Sequence, residues 1–355
     1  MRITRRRFLH AAAAAGALPW LTRCAGAGGA GAGADVKGRK KLSLLILGGT
    51  KFLGRHTVDV ALARGHDVTL FNRGQTRPEL FPDVEKLRGD RDGDLAALKG
   101  RSFDAVVDTS GFMPRIVRET IDALGDVGHY TFVSTISVYA DVSTPPAESS
   151  PVTGDHEYGG EKARCEDVVR ERFPHAFIPR PGLIVGPWDP TGRFTYWPER
   201  LAEGGRVLAP APPGADAQVI DARDLAGWLV RAAEDGTSGT FNAVGRPFPR
   251  RTLVETCRAA ARKDAEIVWV DPQFLLEHEV GEWMELPLWL ASPEYAGMLS
   301  VDPTPAFAAG LETRPLEETV RDTLEWVRSG EAPETEAGLE RAREQQLLDS
   351  WLSKE

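Results

Sequence analysis

Lys41-Leu42-Ser43-Leu44-Leu45-Ile46-Leu47-Gly48-Gly49-Thr50-Lys51-Phe52-Leu53-Gly54 decides the fold class. The apolar run Lys41–Leu47 is too short for a buried helix and suits a strand covered on both faces. Two glycines close it, and residues 52–64 then take up helical spacing through Phe52, Val58, Val60 and Leu62. A strand, a glycine turn and a helix in that order are the setting a dinucleotide phosphate site requires. Gly48 permits the tight turn, Gly54 lets helix and strand approach, and the first N–H groups of the helix face a pyrophosphate. Lys51 stands where that pattern has its middle glycine. A glycine turn with no ligand would leave the same trace.

Outward from this stretch the alternation continues. His66–Phe71 reads as a second strand, Val84–Leu87 as a short third, Phe103–Asp108 as a fourth and Tyr130–Ser134 as a fifth. Leu95 and Leu98 mark a helix between the third and fourth strands, and Ile116–Leu124 marks another before the fifth. Strands separated by helices predict βαβ units and a parallel sheet, an α/β fold. After about residue 185 aromatics, prolines and shorter elements dominate. The expected division is 41–185 for nucleotide binding, 186–330 for a mixed substrate domain with segments returning to the first, and 331–355 for an exposed helical tail.

The chain has 355 residues, enough for one large domain or two at about 150 residues each. Its net charge is −9. Arg2, Arg5, Arg6, Arg7 and Arg23 fall in residues 1–34, which hold no acid. Without those five, 38 basic residues face 52 acidic ones. An acidic body is a poor polyanion binder, so no nucleic-acid partner is expected. Thr4-Arg5-Arg6-Arg7-Phe8-Leu9-His10, the weakly apolar Ala11–Leu21 and the Gly/Ala run to Ala34 resemble a twin-arginine export signal. Export through that machinery is expected, with cleavage near Ala32-Gly33-Ala34 or lipid anchoring at Cys24; a disordered basic tail is the alternative. Cys165 and Cys257 then remain in the body and read as two buried thiols.

Two further constellations carry chemistry. Asn72-Arg73 ends the second strand, where an NAD-selective site usually holds a carboxylate. Arg73 could meet a 2′-phosphate instead, pointing to NADP, or be a solvated surface arginine. Tyr158-Gly159-Gly160-Glu161-Lys162 puts a phenol and an ammonium on one helical face. The ammonium is expected to lower the phenol's pKa and to hold a ribose, while Thr135 bonds the reacting oxygen. A surface Tyr–Lys pair gives the same spacing. His56, His66, His129, His156, His175 and His278 show no metal-ligand spacing, and no metal is expected. His156 lies near Tyr158 but reads as a loop residue, and Trp188, Trp197 and Trp228 read as core or interface.

Taken together these residues resemble the extended short-chain dehydrogenase/reductases, the family of NAD-dependent epimerases and dehydratases. Gly48–Gly54 looks like that family's glycine loop, and Phe132–Tyr139 is similar to its fifth-strand segment, with Thr135 at the hydroxyl position. Tyr158 and Lys162 match its catalytic pair. Arg180–Pro187 and Val219–Ala226 resemble its later segments. The resemblance covers about residues 41–328. It implies a Rossmann doubly wound sheet with a smaller C-terminal substrate domain. It also implies NADP or NAD held by Gly48, Gly49, Thr50, Lys51, Phe52, Leu53, Gly54, Asn72, Arg73, Asp90 (beside adenine) and Lys162. Thr135, Tyr158 and Lys162 are implied as catalytic. The implied activity is oxidoreduction, epimerisation or dehydration at a carbonyl or secondary alcohol of a small, sugar-like molecule. Relatives often pair through the helix at Ile116–Leu124, so a homodimer is in view. The Lys51 form of the loop resembles a subset that includes chloroplast RNA-binding relatives and isoflavone-reductase-like proteins. A non-catalytic nucleotide- or RNA-binding protein on this fold is therefore the alternative.

Overall fold

A computed structural model describes residues 40–354. The export signal, its cleavage site and Cys24 lie outside the described residues. The chain alternates β1 (Ser43–Leu47), α1 (Phe52–Ala63), β2 (Asp67–Asn72), β3 (Glu85–Arg88), β4 (Phe103–Asp108), α2 (Pro114–Ala123), β5 (Val127–Phe132), α3 (Tyr158–Arg172), β6 (Phe177–Pro181), α4 (Ala222–Asp235) and β7 (Gly239–Ala243). The seven strands form one parallel sheet in the order β7-β6-β5-β4-β1-β2-β3.

Why β1 is apolar throughout follows from its place at the centre. Leu44 and Ile46 face α1 and α4, where Leu53, Val58, Leu225 and Leu229 are buried. Leu45 and Leu47 face α2 and α3, against Val117, Ile121, Cys165 and Val169. Side chains alternate across a strand, so burial on both faces demands an unbroken apolar run. Strand order reverses beside β1: the chain runs out through β2 and β3, then returns to β4 on the other side. Ligands of open α/β sheets bind at such a switch point, beyond the carboxyl ends of the strands.

The helix expected around Leu95 and Leu98 is a single 3-10 turn, Ala96–Leu98. Gly93 and Gly100, at φ 104° and 72°, bracket too few residues for a longer helix. The terminal segment forms a helix at Arg341–Leu352, but it is not exposed on all sides. Leu347 and Leu348 enter a second core with Trp197, Leu201, Val207, Leu253, Phe274 and Trp289. Glu344, 2 % exposed, accepts from Arg200 Nε at 2.7 Å and from the Leu208 amide at 3.0 Å. This second core wraps a parallel strand pair, Gly205–Pro210 and Ala265–Val270. Cys165 and Cys257 are free, buried thiols in the two separate cores. No described helix is long and apolar enough to cross a membrane, and no metal-binding cluster occurs among the described residues.

Candidate active site

A cavity of about 660 Å³ opens at the switch point, between the carboxyl ends of the central strands and Trp283, Met298 and Leu299 of the C-terminal part. Its floor is the glycine loop. Gly48 and Gly49 take φ 111° and 85°. A Cβ on Gly49 would stand 2.6 Å from Leu70 Cδ2, and one on Gly54 would stand 2.7 Å from the Gly49 nitrogen. The three glycines therefore answer to backbone geometry and close approach. Lys51 takes an ordinary extended conformation, φ −132° and ψ 130°, and is exposed. Nothing at that position requires glycine. The first turn of α1 holds no acid to oppose its dipole; its residues Phe52, Leu53 and Gly54 line the cavity, and the Gly54 amide is already paired with Lys51 O at 3.1 Å. A glycine turn leading into a helix start can hold a phosphate group.

At the end of β2, Asn72 braces the loop. Its Nδ2 donates to Gly48 O at 3.1 Å, and its Oδ1 accepts from the Gly74 amide at 2.9 Å and from Arg88. Arg73 lines the cavity with its side chain 60 % exposed, and its Nη1 is 4.0 Å from Asp90 Oδ2. Asp90 lines the same end.

At the other end Tyr158 opens α3, with the Thr135 hydroxyl near enough to pull on its phenol; that hydroxyl donates to Ser137 Oγ at 3.2 Å. Thr135 Oγ1 also accepts from the Ser137 amide at 3.1 Å, which fixes the hydroxyl at the end of β5. Lys162 is 2 % exposed. Its Nζ donates to Gly111 O at 2.7 Å and Val133 O at 2.6 Å and lies 4.1 Å from the Phe132 ring centre. Burial pulls its pKa down to about 8. The expectation that Lys162 lowers the phenol's pKa needs correction for this arrangement. Burial holds the Tyr158 phenol above its ordinary value, and the downward pulls come from the Thr135 hydroxyl and the Arg193 guanidinium. Lys162 is spent on two carbonyls instead.

Several residues of the site escaped sequence reasoning. Arg91 clasps Asp108 with two bonds, at 2.7 and 2.8 Å, at the end of β4. Ser134 donates to Glu166 Oε1 at 2.5 Å, and Arg180 grips both oxygens of that carboxylate, at 2.9 and 2.6 Å. This buried network anchors the strand end that carries Thr135. Arg193 and Asp189 line the cavity from the loop after β6. A bidentate or buried charge pair across the fold leaves no local spacing to detect. His156 points to solvent beside Glu161, outside the cavity lining. Trp197 and Trp228 are core residues, and the Trp188 ring centre lies 3.7 and 4.1 Å from the guanidinium carbons of Arg55 and Arg77.

No family model matches the chain. It is 25% identical over 265 residues to the chloroplast stem-loop binding protein of 41 kDa b of Arabidopsis thaliana, covering 67% of this chain and 68% of that one. It is 28% identical over 162 residues to the UDP-glucose 4-epimerase of Erwinia amylovora, covering 37% and 48%. Among solved structures it resembles the Thermus thermophilus UDP-glucose 4-epimerase in complex with NAD, with a TM-score of 0.57, 18% identity and coverage of 81% and 99%. At that identity the structural likeness establishes the fold: a Rossmann-like α/β sheet of the kind found in epimerases.

Proposed function

We propose that the chain is an NAD(P)-dependent enzyme of the short-chain dehydrogenase/reductase type, an oxidoreductase or epimerase/dehydratase acting at a carbonyl or secondary alcohol. The observation that carries this reading is the junction of two parts in one cavity: a glycine turn leading into a helix start and a Tyr158–Thr135 hydroxyl pair backed by Lys162. The cofactor, when bound, supplies or accepts the hydride. Thr135 holds the reacting oxygen beside Tyr158, and Tyr158 gives or takes the proton at that oxygen. Lys162 has three N–H donors and two go to carbonyls, so the third is left for a ribose hydroxyl. Asn72 and Arg73 in place of a carboxylate favour a 2′-phosphate and hence NADP, whereas the Thermus thermophilus relative was solved with NAD. A small, sugar-like substrate fits the cavity and the names of the epimerase relatives. If the chain is exported with its cofactor aboard, chemistry that restores the cofactor each cycle, such as epimerisation or dehydration, is favoured.

The test is Tyr158→Phe, assayed over sugar nucleotides and simple ketones and alcohols with either cofactor. Turnover by the unaltered chain should fall about 10²- to 10⁴-fold in the variant, with cofactor affinity unchanged. Equal turnover would remove Tyr158 from the mechanism. Nucleotide binding with no turnover on any substrate would favour the non-catalytic alternative that the stem-loop binding relative raises.

A further inference from the structure

Arg193 is a partly buried cation of the cavity whose charge acts on the Tyr158 phenol but whose hydrogen-bond donors the Tyr158 chemistry does not call on. It stands on the loop after β6, and the loop is built to hold it. Asp189, 1 % exposed, accepts from the Thr191 amide at 2.8 Å and from Thr191 Oγ1 at 2.9 Å. Thr191 Oγ1 in turn accepts from Arg193 Nε at 3.2 Å. The guanidinium carbon lies 5.4 Å from the Trp283 ring centre. Arg193 is thus oriented from behind by its Nε and flanked by an indole. Its two terminal amino groups make no hydrogen bond or ion pair among the described residues, and Asp189 acts on it only at a distance. Arg193 lines the cavity that Tyr158 shares, near enough for the guanidinium to pull on the phenol.

A guanidinium drawn mostly out of water with an idle fork is costly unless something completes it. The free edge is planar and offers parallel N–H donors, the geometry that takes a carboxylate bidentately. A single guanidinium balances one negative charge, so a monoanion suits it better than a doubly charged phosphate. The neighbouring wall of Trp283, Met298 and Leu299 is apolar.

We propose that Arg193 is a carboxylate-binding subsite, so that the substrate carries an acid group within a few bonds of the carbon that reacts at Tyr158. This rests on the oxidoreductase reading for the reacting carbon, while the subsite itself rests on the loop. An anionic substituent held there fixes the substrate's register, and neutral analogues bind poorly.

The experiment is isothermal titration of the full chain, with saturating NADPH or NADH, against acetate, cinnamate and glucuronate and against their neutral amides. At least one acid should bind about ten- to a hundredfold more tightly than its amide. Arg193→Met should erase that preference, Arg193→Lys should keep part of it, and cofactor affinity should stay constant in both. Equal binding of every acid and amide, or an acid preference that survives Arg193→Met, overturns the subsite. Cofactor titration in the same samples separates the two claims. If neither cofactor binds yet an acid binds in an Arg193-dependent way, the oxidoreductase reading falls and the subsite stands.

Discussion

Lys162 shows how burial sets a group's chemistry here. Its ammonium sits among backbone carbonyls and the Phe132 ring, with Asp108 and Glu166 as the acids that act on it. Burial outweighs those acids and brings its pKa to about 8, from an ordinary value near 10.5. The sign follows directly. Below pH 8 both folded and unfolded chains hold the proton and the cost of burying the charge is complete. Between 8 and 10.5 the unfolded chain binds more protons, so this group's contribution to stability rises with pH. Wild type should therefore gain on the order of 1 to 3 kcal/mol relative to Lys162→Met between about pH 7 and pH 10 in urea unfolding. A pH-independent difference would mean that the ammonium is not desolvated. Tyr158, Lys162 and Thr135 were legible because a four-residue spacing on a helix and a hydroxyl at a strand end are local patterns. Arg193, Asp189 and the Ser134–Glu166–Arg180 network were not, since their neighbours are set by how distant loops fold back.

The β1–loop–α1 unit is where a single methyl group should do most damage. A Cβ at Gly54 meets the Gly49 nitrogen at 2.7 Å and Thr109 Oγ1 at 3.1 Å. The nearer contact is backbone and cannot rotate away, so α1 must lift from the strand. Gly54→Ala should cost about 1 to 3 kcal/mol and weaken dinucleotide binding, read by thermal unfolding and fluorescence titration. An unchanged melting temperature and affinity would show that the helix has room to move. The strands of this half were read to within a few residues because two-sided burial forces compact apolar runs. The segment around Leu95 misled, since two leucines three apart fit a helix and a single 3-10 turn equally well.

Across the molecule, the sheet half was legible and the C-terminal half largely was not. The second core joins Trp197, Trp289 and Leu347 from short elements far apart in sequence, and its buried ion pair links Arg200 to Glu344. No periodicity within one segment can report such a union. It matters for function because Trp283, Met298 and Leu299 close the cavity over the glycine loop. The proposed chemistry depends on a dinucleotide occupying the cavity between the two halves. The most direct measurement is to purify the chain natively without added cofactor, denature it, identify any released nucleotide by mass spectrometry, and titrate the protein with NADPH and NADH. The expected result is one NADP(H) or NAD(H) per chain, released or taken up at saturation, with NADP(H) preferred if Arg73 reads the 2′-phosphate. No released nucleotide and no saturable binding of either cofactor would mean that the cavity is not a dinucleotide site.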